Sequence, residues 1–182
     1  MSGIIGSKLN IRGSGLVGSL GTDGQHLLSA GAGVTNVFET AAGGGKVGQV
    51  IQALDSTQRT TTSSSFVDMS TALIGVITPT ATTSKILIQV TSHFYNGGAQ
   101  SWGAALYKDV AGGGYAQLAA AMLELEGCGC GGGGTFISYL DSPSSTSELS
   151  YRPYCKISGS GVTLSMNYAG TQGSIQVMEI LA

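Results

Sequence analysis

The side chains of this sequence that could form a Cys/His zinc site are three cysteines and two histidines. Cys128 and Cys130 are separated by a single residue, whereas structural zinc sites usually space their paired cysteines more widely and need further ligands. Cys155, His26 and His93 lie far from that pair in sequence. The spacing therefore favours free thiols over zinc, and we expect no metal ion and no cofactor. The odd number of cysteines also argues against a disulfide framework and indicates folding in a reducing cytoplasm.

No motif for nucleophilic or phosphate-transfer chemistry is complete. The run Gly-Gly-Gly-Lys46 resembles a phosphate-binding loop only in its glycine content, because Val47 stands where a hydroxyl residue is required. A Gly-x-Ser-x-Gly nucleophile elbow is absent from the sequence. A glycosidase needs two carboxylates about 5 to 10 Å apart, and Asp141 with Glu148 is the only acidic pair that flanks a predicted loop. Solvated turn residues are the better interpretation, and the sequence predicts a protein that is not an enzyme.

The composition excludes two classes of partner. Charged residues make up only 10% of the chain, against roughly 25% in an ordinary soluble domain. The eight lysines and arginines are scattered, so we expect no nucleic-acid binding. No apolar run approaches the roughly 20 residues of a membrane-spanning helix, so we expect no membrane insertion, and the first ten residues do not resemble a signal peptide.

The chain divides into an extended glycine-rich segment, residues 1–46, and a domain over residues 47–182 in which short apolar runs alternate with Gly, Ser and Asn clusters. In the clearest run, residues 84–95, Ile86, Ile88, Val90 and Phe94 share one face, as expected of a strand with one buried side. We predict an all-β fold: an antiparallel β-sandwich, resembling a jelly roll. The predicted strands are 47–54, 65–69, 72–78, 84–95, 102–108, 115–126, 135–140, 148–157, 162–168 and 174–181.

Glycine clusters predict three hairpin turns, at residues 96–98, 112–114 and 159–161, because glycine accepts the positive φ that such turns need. Residues 116–125 (AQLAAAMLEL) are compatible with a strand or, on propensity alone, with a short helix.

Several short motifs, in order along nearly the whole chain, resemble the fibre proteins of tailed bacteriophages. The first is LGTDGQHLLSAGAG at residues 20–33. The others are GKVGQVIQ at 45–52, SFVDM at 65–69, ITP at 77–79, SKILI at 84–88, SYLDSP at 138–143 and VMEI at 177–180. The resemblance implies a homotrimeric virion fibre with an N-terminal anchor or shaft and a β-sandwich head, assembled in the cytoplasm of a bacterial host. It does not distinguish a fibre on the tail from one on the capsid.

The N-terminal segment has glycine at every third position over residues 15–24. Collagen is excluded because residues 1–48 contain no proline and the repeat is too short. Near the axis of a parallel trimer, where each residue meets two copies of itself, small side chains permit close approach. A flexible linker is the alternative, although the segment is apolar for a solvated tether. The residues predicted at the trimer axis or anchor are Gly15, Leu16, Gly18, Leu20, Gly21 and Gly24.

The function predicted from the sequence is a trimeric tail fibre that joins another virion protein through its N-terminal segment and faces the host with its head. The alternative is a head fibre or cement protein that decorates the capsid, and a third class is a depolymerising enzyme. Host glycan contact is predicted at Tyr95, Asn96, Gln100 and Trp102, because a polar loop beside an aromatic ring is a typical sugar site. Trp102 could instead belong to the core.

Overall fold

The computed structural model describes residues 25–28, 37–40, 46–98, 100–118, 123–125, 133–159 and 161–181. The chain separates into two compact units, Met1–Gly44 and Gly45–Ala182. In the first unit, β1 (Gln25–Leu28) pairs antiparallel with β2 (Val37–Thr40). The segment predicted to be extended therefore contains a two-stranded antiparallel sheet. The six residues predicted at the trimer axis, between 15 and 24, lie outside the described residues.

The described part of the second unit is built of strands and one 3-10 helix, and all its strand pairs are antiparallel, which confirms the predicted all-β class. Residues 116–117 and 123–125 are strands, so the helical alternative is not adopted there. No helix among the described residues has the length and apolar character needed to cross a bilayer. The elements are β3 (Lys46–Asp55), β4 (Arg59–Thr61), β5 (Val67–Asp68), β6 (Gly75–Ile77), β7 (Lys85–Asn96), β8 (Trp102–Val110), β9 (Ala116–Gln117), β10 (Leu123–Leu125), β11 (Gly133–Asp141), β12 (Leu149–Ile157), β13 (Leu164–Met166), the 3-10 helix (Tyr168–Gly170) and β14 (Gly173–Leu181).

These strands form two sheets that make a jelly roll. In the first sheet, β13 and β14 both pair with one edge of β7, and β11 pairs with the opposite edge. On the side away from β7, β13 pairs with β4 and β14 pairs with β3. In the second sheet, β12 lies between β8 and the pair β5 and β6, and β8 also pairs with β9 and β10. The strand pairs are nested along the chain. β3 pairs with β14, β4 with β13, β5 and β6 with β12, β7 with β11, and β8 with β9 in a hairpin. This nesting defines the jelly roll.

The core lies between the two sheets, because alternate residues of each strand point to it. In β7, Ile86, Ile88, Val90 and Phe94 are all buried, as their spacing predicts. The facing strand β12 alternates in the same way, and Trp102 of β8 packs its ring against Phe94 with 4.7 Å between the ring centroids. One contiguous apolar cluster therefore holds the sandwich together.

The strands give the sandwich two distinct ends. We call the end where β3 begins the base; Leu181 pairs with Lys46 there, so β14 ends at the base as well. We call the opposite end, where β7 and β12 end, the tip. The strand ends joined by the β4–β5, β7–β8 and β12–β13 connections lie at the tip, and those joined by the β6–β7, β8–β9 and β11–β12 connections lie at the base. A ligand site at the tip is therefore separated from the point where the chain enters this unit by the length of β3, which is roughly 30 Å.

One of the three predicted hairpin turns is a hairpin. Gly112 and Gly114, with φ of 78° and 105°, turn the chain from β8 into its neighbour β9. The predictions at 96–98 and 159–161 were wrong as hairpins, because each of these segments connects strands of different sheets. Glycine content marks a change of direction, whereas long-range packing decides which strand becomes the neighbour.

Candidate functional site

The acid of the VMEI motif is a buried structural carboxylate. Glu179 has 0% of its surface exposed and lies at a bulge of β14. Its Oε1 accepts hydrogen bonds from the backbone N–H and the hydroxyl of Thr80, at 2.6 and 2.8 Å, and its Oε2 accepts one from Gln49 at 3.0 Å. Burial by itself would raise the pKa of Glu179, but the hydrogen bonds outweigh burial and hold it below its ordinary value. Segments from both ends of the domain thus meet at one carboxylate.

A second buried acid ties the bend after β3 to the next sheet. Asp55 accepts hydrogen bonds from the Ser70 hydroxyl at 2.5 Å and from the Thr57 N–H at 2.9 Å. Arg59 lies 3.5 Å away and adds a favourable charge. Burial opposes ionisation of Asp55, yet the hydrogen bonds and Arg59 together lower its pKa.

Asp141, the acid of the SYLDSP motif, is also a buried structural carboxylate. It is buried and accepts hydrogen bonds from Lys108 Nζ and the Tyr151 hydroxyl, both at 2.8 Å. Burial and the neighbouring Asp141 charge raise the pKa of Tyr151. The interpretation of Asp141 as a solvated turn residue was therefore wrong, while Glu148 is exposed. The described residues contain no group of three or more potential metal ligands. The hydrogen bonds of Asp141, like those of Glu179 and Asp55, join separate segments of the fold.

Two of the four predicted glycan-contact residues are in the interior. Asn96 is 1% exposed and donates a hydrogen bond to the backbone oxygen of Gln100 at 2.7 Å. Trp102 is 6% exposed and packs on Phe94, so no face of its ring is open to solvent. The prediction of surface contact was wrong for these two residues, because strand alternation turns both toward the core. Tyr95 and Gln100 are half-buried at the tip.

Tyr95 belongs to an aromatic cluster on the outer face of the first sheet. Its ring stacks on Tyr168 with 4.3 Å between centroids and 20° between planes. His93, two residues earlier in β7, meets Tyr168 edge to face at 5.8 Å. Sequence analysis missed Tyr168, because it is 73 positions from Tyr95 and its own local pattern is that of a strand end.

Tyr168 is placed by a strained interruption between β13 and β14, residues 167–172. Asn167 and Ala169 have φ of 54° and 56°, a left-handed conformation that costs a non-glycine residue about 1 kcal/mol or more. Asn167 is fully buried; its side chain accepts a hydrogen bond from the Ser92 hydroxyl at 2.9 Å and donates one to the Thr57 oxygen at 3.3 Å. These contacts hold the interruption in one conformation and direct Tyr168 outward.

An open pocket of about 370 Å³ lies beside this cluster, between β7, β11 and residue 172. Phe136 on its wall has 59% of its surface exposed, which is unusual for a phenylalanine on a strand. The lining residues are Thr91, Ser92, His93, Gly134, Thr135, Phe136 and Gln172.

Closer to the base, the outer face of the first sheet carries two uncharged rows set by the strand register. The apolar row is Val50, Met178, Leu87 and Leu140, one residue from each of four neighbouring strands. The glutamine row, two residues along, is Gln52, Gln176, Gln89 and Ser138. Val50 and Leu140 are 58% and 48% exposed, so much of the apolar row faces solvent.

The outer face of the second sheet differs, because its charged groups are paired within the face. Tyr107 stacks on Tyr154 with 4.0 Å between centroids. The Arg152 guanidinium lies 4.9 Å from the centre of the Tyr115 ring and forms an ion pair with Asp68. These contacts pair the Arg152 guanidinium through one of its nitrogens, while its buried Nε has no hydrogen-bond partner among the described residues.

No protein-family model matches the chain, and no curated protein matches it by sequence. Similar solved structures include a mutant VP2 protein of infectious bursal disease virus in derived T=1 particles, with 12% identity and a TM-score of 0.46 over 85% of this chain and 40% of that one. A VP2 subviral particle of the same virus is 16% identical, with a TM-score of 0.44 over 85% of this chain and 41% of that one. The chain spans about two fifths of the length of these proteins. Likeness at this level does not carry function from one protein to another.

Proposed function

We propose that this chain is a structural virion protein of a tailed phage: a homotrimeric tail fibre, attached to the particle by its N-terminal segment, with the jelly-roll head facing the host. The observation that carries the proposal is the pair of uncharged rows on the outer face of the first sheet, in a chain with only 10% charged residues. The resemblance of its motifs to tailed-phage fibre proteins supports the same function.

The two rows are suited to contact with copies of themselves. Contact between two apolar rows removes both from water, which stabilises the contact by a free energy of about 25 cal/mol per Å² of apolar surface buried. A glutamine amide both donates and accepts hydrogen bonds, so a glutamine row can pair with its own copy without leaving a charge unpaired. Since neither row contains a charged residue, self-association meets no like-charge repulsion.

The area sets a limit on what the rows contribute. With strands about 4.8 Å apart and rows about 7 Å apart, the two rows cover roughly 250 Å². Stable interfaces bury about 800 Å² per partner. The N-terminal segment, with glycine at every third position over residues 15–24, is where we expect the rest of the trimer contact.

The direction of the chain supports attachment through the N-terminal segment. The second unit begins with β3 at the base, and the strand ends joined by the β4–β5, β7–β8 and β12–β13 connections lie at the tip. A head attached through the chain that precedes β3 would present its tip to the surroundings.

Light scattering on the purified chain tests the trimer. We expect a mass three times 18.3 kDa. Gln52→Glu should dissociate the trimer at low salt, because it brings like charges together at the interface. Gln117→Glu is the matched control, an exposed strand glutamine on the second sheet. A wild-type mass of 18.3 kDa at every concentration would contradict the proposal.

Particle incorporation tests attachment. Deleting residues 1–44 should leave a folded head that no longer joins the virion. Imaging of particles that carry a tagged copy should find the tag on the tail; a capsid location would instead favour the decorating head fibre.

A further inference from the structure

We propose that the pocket between β7, β11 and residue 172 binds a neutral hexopyranose unit of a polysaccharide. The inference deepens the proposed function and rests on it only for the source of the sugar, which would be the host surface. Binding itself can be tested on the isolated protein.

The pocket has the size and chemistry of a weak sugar site. Its volume of about 370 Å³ lies at the low end of the roughly 300–1,000 Å³ usual for small-ligand sites and accommodates one sugar ring with part of a neighbour. The pocket lies on the outer face of the first sheet, on the tip side of the glutamine row.

Phe136 supplies the apolar surface. Its ring is exposed on the pocket wall, and it is opposite Thr91 of β7 in the strand register. The carbon–hydrogen face of a pyranose packs on such a ring and removes both surfaces from water.

The polar groups of the pocket match hydroxyls. Gln172 can donate and accept, as a sugar hydroxyl does, and the Thr91 hydroxyl is held 2.7 Å from that of Ser174. His93 presents an imidazole whose ring is oriented by the edge contact with Tyr168. None of the lining residues is Lys, Arg, Asp or Glu, so the pocket has no fixed charge for an acidic or basic sugar.

The strained connection keeps the site in place before the ligand binds. Asn167 holds the backbone of residues 167–170 through Ser92 and Thr57, and Tyr168 in turn lies against His93. A pocket wall fixed in this way loses little conformational entropy on binding, which raises the affinity of a small ligand.

Saturation-transfer NMR and titration with the methyl glycosides of glucose, galactose and mannose test the proposal on the purified full chain. We expect saturable binding of at least one glycoside, weakened about threefold to tenfold by Phe136→Ala, the range expected for loss of a ring contact. Gln172→Ala should weaken it as well. Val110→Ala, an exposed apolar strand residue of the other sheet, is the control and should bind as the wild type does.

Three results would overturn the inference: no saturable binding of any of the three glycosides, equal binding by Phe136→Ala and Val110→Ala, or binding of methyl glucuronide alone. Each variant's unfolding midpoint shows whether a loss of binding comes from misfolding. The result is independent of the trimer and of the particle, since a monomer that binds sugar would contradict the proposed fibre and leave this site standing.

Discussion

Replacing Glu179 with glutamine should destabilise the head far more than removing any exposed acid. The carboxylate accepts three hydrogen bonds, two from Thr80 and one from Gln49. A hydrogen bond to a charged group contributes about 1.5–3 kcal/mol and a neutral one about 0.5–1.5 kcal/mol, so each bond loses about 1 kcal/mol. The glutamine amide also places its NH2 group, which is a donor, against one of the groups that donate to the carboxylate. We expect the free energy of unfolding to fall by roughly 3 kcal/mol at pH 7.

The pH dependence gives an independent check. The pKa of Glu179 is below its ordinary value of 4.5 in the folded protein, so its charge stabilises the fold above that pH. This contribution is lost as the pH falls below about 4.5 through the folded-state pKa. Glu179→Gln removes the titrating group, and the acid limb of its stability curve should be flatter than that of the wild type.

Urea unfolding at matched protein concentration, from pH 3 to pH 7, measures both effects. Glu148→Gln is the control, because this acid is exposed at the base, and its loss should change stability by about 0.5 kcal/mol or less. A loss below about 1 kcal/mol for Glu179→Gln, or an acid limb parallel to that of the wild type, would refute the role assigned to this carboxylate.

Two further predictions follow from backbone strain and from burial. The Ala169→Gly variant should be roughly 1 kcal/mol more stable than the Ala116→Gly variant, because residue 169 has φ of 56° while residue 116 is in a strand. Thermal unfolding measures both variants. Equal losses of stability would contradict the strain argument. Burial raises the pKa of the Cys155 thiol, so iodoacetamide should not modify this thiol in the native protein. It should modify the thiol after unfolding without reductant. Rapid labelling of the native protein, measured by mass spectrometry, would show that the core is open at Cys155.

The sequence by itself determined the long strands and the sides they bury, whereas β1, β2 and β4 were not predicted. A strand exposes and buries alternate residues, so Ile86, Ile88 and Phe94 could be assigned to the core from their spacing alone. Burial alternates in the same way along β12. The predicted and observed bounds of the long strands β3, β7, β8, β11 and β12 differ by two residues or fewer at every end. Low charge and the scattered basic residues were likewise readable without coordinates.

Only the tertiary structure decided which residues meet. Glu179 and Gln49 are 130 positions apart and Tyr95 and Tyr168 are 73 apart, and no local pattern encodes such distances. The site predicted from the loop at 96–101 placed Trp102 at the surface, whereas packing against Phe94 buries it. The connection that carries Gln172 of the pocket wall includes Ala169 in a left-handed conformation, which alanine adopts only when contacts elsewhere compensate its cost. Local propensity determines elements, but the free energy that joins them arises from contacts between distant segments, and those exist only in the folded chain.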